Sequence, residues 1–321
     1  MTSSLLPAFL IDAWQFDHTK ATGITGPLQW QQNSWFHCQR DEPGLHHWLH
    51  EIGLTKGLTN ALLAEDTRPR FQQFGDDCFL LILRGVNLNQ GEEPDDMLSL
   101  RILFYDNSII TLRKRPFRAI STIRQDLANG EGPSSLSQLL LDIIEQMNFR
   151  ISEVLEKSER LMDELQEDIE RLTILQQRQL TQMHRQLLKL NRFLKPQTFA
   201  LSELTNSKVP LLRSDEDQLL ISNLRDTSYR IIENIEAYID QVWMLREHSQ
   251  QASADLMNRN TYRLSVVAGI FLPLGFLTGL LGVNVGGIPG TDSPWAFPLF
   301  CAALGVLGVV EFMIFRRFRY W

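Results

Sequence analysis

His46-His47 and His50 lie close together in the first part of the chain, with His37-Cys38 a few residues upstream. Imidazole and thiolate are ligands that suit zinc. On a helix, His46 and His50 stand one turn apart and could share a metal. Cys38 is a candidate third donor, although no strict spacing joins it to them, and solvated surface histidines are the plain alternative. A second chemistry is possible at Gly282-Val283-Asn284, which closes a long uncharged run. A ring of Asn284 carboxamides around a symmetry axis would offer carbonyl oxygens to a hydrated cation; an ordinary helix cap is the plain reading. Glu311 is an ionisable group inside a second apolar run, which makes it a candidate for a proton or charge role. Snorkelling toward Arg316 explains it equally well. The acidic run Glu92-Glu93-Pro94-Asp95-Asp96 could concentrate cations, or could be a solvated loop. No Walker loop and no nucleophile–base spacing is present, so the sequence points away from an enzyme and toward ion gradients as any driving force.

The elements that must position these groups begin with the apolar runs. Leu264–Gly282 and Trp295–Phe315 carry almost no charge. About twenty residues at ~1.5 Å each cover ~30 Å, the thickness of a bilayer's hydrocarbon core. Arg259 and Arg263 precede the first run, Arg316, Arg317 and Arg319 follow the second, and the connecting loop holds only Asp292 as a charge. Both ends then lie in the cytoplasm and the loop outside, with Trp295 and Tyr320-Trp321 as interfacial anchors. Along the first run Thr261, Ser265, Ala268, Leu272, Gly275, Gly279 and Gly282 recur at steps of four and three. Such a small-residue face is either a packing seam or the wall of a lumen in which Leu272 forms a constriction.

The chain of 321 residues carries a net charge of −7, with no basic excess to suggest nucleic-acid binding. Its three cysteines are too few and scattered for a disulfide framework, which fits a reducing compartment. The first residues lack a basic n-region and do not read as a signal peptide. Residues 1–133 read as an α+β domain. Its strands are placed at Ala8–Ile11, Trp30–His37, Arg70–Phe74, Cys78–Val86, Met97–Tyr105 and Ser108–Arg113, as an antiparallel sheet. Short helices are expected at 45–53 and Leu58–Leu63, with turns at Gly75-Asp76-Asp77 and Asp106-Asn107. Residues 134–213 form a helical arm, with a seam through Leu140, Ile144, Met147 and Ile151 and again through Leu180, Met183, Leu187 and Leu190. A bend or break is expected near Gln176–Gln179, and Pro196 is expected to stop the helix. Ser214 caps a stalk, 214–263, that holds neither Gly nor Pro and continues into a first membrane helix at 264–283. A loop at 284–294, a second membrane helix at 295–315 and a basic tail at 316–321 complete the chain.

The uncharged run FLPLGFLTGLLGVN, the short loop, the second span and the basic tail resemble the CorA family of divalent-cation channels. The resemblance extends through the stalk and the stretch Thr67-Arg68-Pro69-Arg70 to essentially the whole chain. Val283 stands where the family signature Gly-Met-Asn has Met, and the loop VGGIPG lacks the acidic residue of the magnesium channels. Both departures are similar to the ZntB zinc transporter branch. The resemblance implies a homopentamer whose first spans line a pore beneath a cytoplasmic funnel in the bacterial inner membrane. It implies Gly282, Val283 and Asn284 as the selectivity loop and Gly275, Leu272, Leu264 and Thr261 as pore-lining positions. The magnesium-sensing carboxylates are not carried over, because Asn223 stands where one is expected. The function implied is zinc transport coupled to protons, in the direction of uptake, with efflux as the other direction. Zinc would be the substrate, with no permanently bound cofactor. A channel for magnesium, cobalt or nickel and a membrane-anchored scaffold or metal sensor are the two rival readings.

Overall fold

A computed structural model describes residues 6–17, 19–65, 67–167, 172–207, 209–283, 290 and 293–317. The first elements are strands β1 (Leu10–Phe16), β2 (Ala21–Gly23) and β3 (Ser34–Gln39) and helices α1 (Gly44–Glu51) and α2 (Lys56–Leu63). Strands β4 (Arg70–Gln73), β5 (Phe79–Gly85), β6 (Leu98–Tyr105) and β7 (Ser108–Arg113) follow. Together they form one seven-stranded sheet in the order β2-β1-β3-β7-β6-β5-β4. Alternation along β3 sends Trp35 to one face and Phe36 and Cys38 to the other. Leu45, Leu49 and Leu62 of α1 and α2 share the second cluster, and later helices share the first. With both faces covered, the central strands are apolar and buried almost throughout.

A strand lies at each expected place, but β1 runs on from Leu10 to Phe16, β3 starts only at Ser34, and β2 was not expected. Nor is the sheet wholly antiparallel, since β3 and β7 pair in parallel, Phe36 opposite Ile110. Apolar pattern reports a strand's buried faces, not its direction. Asp106 and Asn107, both at positive φ (45° and 54°), make the tight turn between β6 and β7. Arg101 lies fully buried on β6 and donates to the carbonyls of Leu62 and Ala64 at the C-terminal end of α2. A cation there meets the negative end of the helix dipole.

Helix α3 (Arg118–Asn129), which the apolar pattern did not suggest, ends at Gly130 with φ 79°. Helix α4 (Leu136–Glu167) and α5 (Ile174–Asn206) carry the two seams, and the seam residues Leu140, Ile144, Leu180, Leu187 and Leu190 are buried. Gln176–Gln179, where a break was expected, lies inside α5, which starts at Ile174. Thr173 caps α5, and Gln176 completes a capping box by accepting from the Thr173 backbone N–H at 2.8 Å. Pro196 does not end α5, which continues for ten residues to Asn206. The turns beyond it are held by packing: Gln197, Ala200, Leu201 and Leu204 are buried, and Gln197 Oε1 accepts from the Arg84 backbone N–H at 2.6 Å. Those contacts offset the roughly 3 kcal/mol that an interior proline costs.

Helix α6 (Asp215–Leu281) runs for 67 residues without a break. Ser214 accepts from the Asp217 N–H at 3.0 Å, and Asp215, Glu216 and Asp217 complement the dipole of the first turn. Ile221, Ile231, Ile235, Val242 and Leu245 are buried. Asn148 of α4 donates to the Leu224 carbonyl and accepts from the Ser228 hydroxyl, both at 3.0 Å, which fixes the register of the two helices. Helix α7 (Ala296–Arg317) closes the chain. The chain divides into two compact units, Met1–Arg246 and Glu247–Trp321.

Asp142 on α4 is pushed up from 3.8 to about 6, first by burial and then by Glu145 and Asp126. The native state therefore keeps this proton longer than the unfolded chain does, so stability falls as pH rises through that window. Asp142→Asn should stabilise the protein at pH 7 by about 1 kcal/mol after allowance for solvent screening. The gain should vanish below the unfolded carboxyl's range. Melting temperatures of both chains across pH check this.

Candidate functional site

The apolar end of α6 and the whole of α7 are long and apolar enough to cross a membrane, and their apolar windows are not buried inside the protein as a soluble core helix would be. Within this unit the two helices meet along one face of each. On α6, Val266, Gly269, Ile270, Pro273, Leu274 and Leu277 are partly covered. On α7, Leu304, Leu307, Gly308, Glu311 and Phe315 are partly covered. Glycine permits the approach at Gly269, where a Cβ would lie 2.8 Å from the Phe315 ring, whereas one on Gly308 would only make ordinary contact with Leu274 at 4.0 Å. These two glycines were not singled out by the sequence reading. Their signal is a Gly inside an apolar helix, which marks close packing.

The small-residue face stands apart from this seam. At 100° per residue, Thr261, Leu264, Ser265, Ala268, Leu272, Gly275, Gly279 and Gly282 centre roughly 165° from the α7-facing residues. All eight are exposed, Leu264 and Leu272 by 71% and 72%, and Gly275 and Gly279 have open space where a Cβ would be. This face is therefore not the seam between α6 and α7. Its Ser265 hydroxyl donates to the Thr261 carbonyl at 3.0 Å. On the same helix, Thr278 Oγ1 lies 3.0 and 3.1 Å from the Leu274 and Gly275 carbonyls. Gly282 donates its N–H to Thr278 at 2.9 Å, and Val283 is exposed beyond the helix end. Asn284 and most of the following loop lie outside the described residues, as do Arg319 and Tyr320-Trp321.

Glu311 sits on the α6-facing side of α7, between Gly308 and Phe315. Its Oε2 is buried with no hydrogen-bond partner, and among the described residues no ion pair joins it to Arg316 or Arg317.

The imidazole and thiol candidates separate. Helix α1 buries Leu45, Trp48 and Leu49 against the sheet and leaves His46, His47 and His50 exposed. The His46 and His50 rings meet edge to face, 4.8 Å between centroids, and His47 pairs with Glu51 at 3.1 Å. Cys38 lies beneath the opposite side of the helix, fully buried, where burial pushes its thiol far above its ordinary range. His37 points to the other sheet face, its Nδ1 2.8 Å from Thr111 Oγ1, and burial pulls its imidazole well down. Among the described residues no three His, Cys, Asp or Glu side chains gather as a metal set. The acidic loop is likewise committed: Glu92 pairs with Arg115 at 3.0 Å, Glu93 accepts from Gln186 at 3.0 Å, and Asp95 pairs with Lys189 at 2.6 Å.

An α+β unit, a 67-residue helix with an apolar end and a second apolar helix, both largely uncovered by the rest of the protein, define a membrane protein with a large water-exposed part. The chain belongs to the family described as CorA-like Mg2+ transporter protein, whose model matches residues 30–317. It is 38% identical to the zinc transport protein ZntB of Vibrio parahaemolyticus, over 96% of each chain. The solved cytoplasmic domain of a ZntB from that species superposes with a TM-score of 0.72 at 34% identity, covering 77% of this chain and 99% of that one. The divalent cation transporter CmaX of Pseudomonas aeruginosa is 34% identical, over 90% of this chain and 88% of its own. The full-length CmaX structure matches with a TM-score of 0.85 at 32% identity, covering 99% of this chain and 100% of that one. The CorA magnesium transporter of Methanocaldococcus jannaschii shares the fold at a TM-score of 0.81 and 18% identity, with 97% of this chain and 98% of that one covered.

The separation of ligands has a direct consequence. Cys38→Ala should leave unchanged any binding of zinc at His46 and His50. Cys38 should also resist a water-soluble maleimide until denaturant is added. Metal titration and mass spectrometry of the alkylated chain measure both.

Proposed function

We propose that this protein carries a divalent cation, zinc, across the bacterial inner membrane as a homopentamer with both termini in the cytoplasm. The observation that carries this reading is the exposed small-residue face of α6, set away from the seam that α7 occupies. Brought together around an axis, five such faces would enclose a lumen with Thr261, Leu264 and Gly275 along its wall. Leu272 would form the constriction. Gly282, Val283 and Asn284 would meet the hydrated ion at the outer mouth, where carboxamide oxygens replace or hold its water. The identity to ZntB and the Val283 and GGIPG departures support zinc over magnesium. The domain boundaries assigned to the sequence fit this division of labour: a cytoplasmic domain, an arm, a stalk, and two spans joined by the selectivity loop.

Proton coupling in the uptake direction is the finer part of the proposal, and Glu311 is its proton carrier. An ionisable side chain within a span is costly and is retained where it is used. Here one carboxylate oxygen has no partner on the face that meets α6. The facing helix carries Pro273, which has no N–H to give the carbonyl of Gly269. A protonated Glu311 can donate to such a carbonyl, and an ionised one cannot.

Purified protein in liposomes containing a zinc-sensitive dye should show zinc influx, and Asn284→Ala should reduce it at least tenfold, about 1.4 kcal/mol or more at the entry step. An inward proton gradient should accelerate the flux, and Glu311→Gln should abolish the acceleration while leaving the pentamer intact. Flux of magnesium without zinc would establish the channel alternative. No flux of any metal would leave an anchored scaffold, and zinc flux indifferent to the gradient would remove the proton.

A further inference from the structure

Positive charge collects at one end of the seven-stranded sheet. Strands β3, β7 and β5 share one direction, since β3 and β7 pair in parallel and β6 runs against both β7 and β5. Their carboxyl ends carry Arg40, Lys114-Arg115 and Arg84, and Lys189 and Arg192 of α5 face these across a cleft of about 430 Å3. Three acids, Glu65, Asp95 and Asp96, line the same cleft. Among the described residues, six cations against three carboxylates is a local reversal in a chain of net charge −7. Buried Arg101 registers the excess: its guanidinium is lowered to about 10, first by burial and then by Arg40, Arg84 and Arg70.

The pairing within the cleft leaves specific groups over. Lys189 is taken by Asp95 at 2.6 Å and Arg115 by Glu92 at 3.0 Å. Among the described residues Arg40, Lys114 and Arg192 have no carboxylate at ion-pair distance. Asp95 is only 6% exposed, and while its Oδ2 meets Lys189, its Oδ1 is buried with no hydrogen-bond partner. A buried carboxylate oxygen without a donor destabilises the site until a donor arrives. Three cations without a carboxylate, Arg40 on the Ala64 carbonyl at 3.4 Å, Arg192 over the Phe193 ring and Lys114, therefore share with one unfilled acceptor a cleft of a size that suits a small molecule.

We propose that this cleft binds a small organic phosphate. The phosphate group lies on Arg40, Lys114 and Arg192, where guanidinium and ammonium groups are its natural partners. A hydroxyl or amino group of the same molecule donates to Asp95 Oδ1. Inorganic phosphate carries its only hydroxyls on the phosphorus that the cations hold, so it has no separate donor to reach Asp95 Oδ1 as well. Because the cleft is walled by the sheet on one side and α5 on the other, its occupant ties the helical arm to the sheet.

Calorimetric titration of the full chain in detergent, without added metal, tests this with AMP, ATP, glucose 6-phosphate and inorganic phosphate as probes. At least one organic phosphate should bind about tenfold or more tightly than inorganic phosphate. Lys114→Gln and Arg192→Gln should each weaken it about tenfold, and Asp95→Ala should narrow its advantage over inorganic phosphate. The binder should also protect Lys114 of the unaltered chain from an amine-acylating reagent, a readout that needs no variant. The proposal is overturned if none of the probes binds at about 1 mM. Binding that ignores Lys114→Gln and Arg192→Gln, or inorganic phosphate that binds as tightly as the esters, also overturns it. These readouts do not depend on metal transport.

Discussion

The continuous helix α6, its hydrogen-bond ladder open only opposite Pro273, is the constraint on which the other elements depend. Between Asp215 and Arg263 the sequence contains neither glycine nor proline, so nothing local interrupts the ladder. In that part the helix buries Ile221, Ile231, Ile235, Val242 and Leu245, and α4 holds its register through Asn148. Glycines and Pro273 enter only in the apolar part. A backbone with no water to turn to keeps its helix there despite them. The residues that would weaken a soluble helix are thus placed where the alternative to a helix is costliest.

The two units handle their apolar surface in opposite ways. In Met1–Arg246 both sheet faces are covered by the chain's own helices, and even Pro196 is tolerated because the turns beyond it are pressed against β5. In Glu247–Trp321 the chain covers one face of each apolar helix and leaves Leu264, Phe271, Leu272 and Phe276 more than 60% exposed. Those surfaces need a solvent or a partner that the chain does not contain. Bulky side chains on some faces suit lipid, whereas the Gly275–Gly279 face offers close approach or open space.

Much of this was legible in the sequence, because apolar spacing reports which face of an element is buried. The strands, the seams of α4 and α5 and the length of α6 follow from it. What the pattern does not encode is direction and context. The parallel pairing of β3 with β7 depends on how the chain returns after three antiparallel strands. The start of α5 at Ile174 is set by a capping box that lies beside the glutamines to which the seam's interruption pointed. Cys38 was grouped with His46 and His50 by proximity in sequence and by ligand type. Strand parity turns it into the core, and the helix period turns the histidines out. The seam on α6 was visible as a row of small residues. The placement of Gly269 against Phe315 and the exposure of the small residues distinguish it from the seam with α7.

Polar groups within the apolar unit sharpen the distinction between structure and use. Ser265 and Thr278 tie their hydroxyls to carbonyls of their own helix, so neither adds a demand on its surroundings. Glu311 makes no such tie: its Oε2 is buried and unpartnered on the face where α7 meets α6. For packing alone an apolar side chain would serve better there, because it carries no desolvation cost. A residue that only needed to reach the basic end would be expected to pair with Arg316 or Arg317, and no such pair is present among the described residues. A carboxyl at that position therefore carries a desolvation cost that an apolar side chain would not.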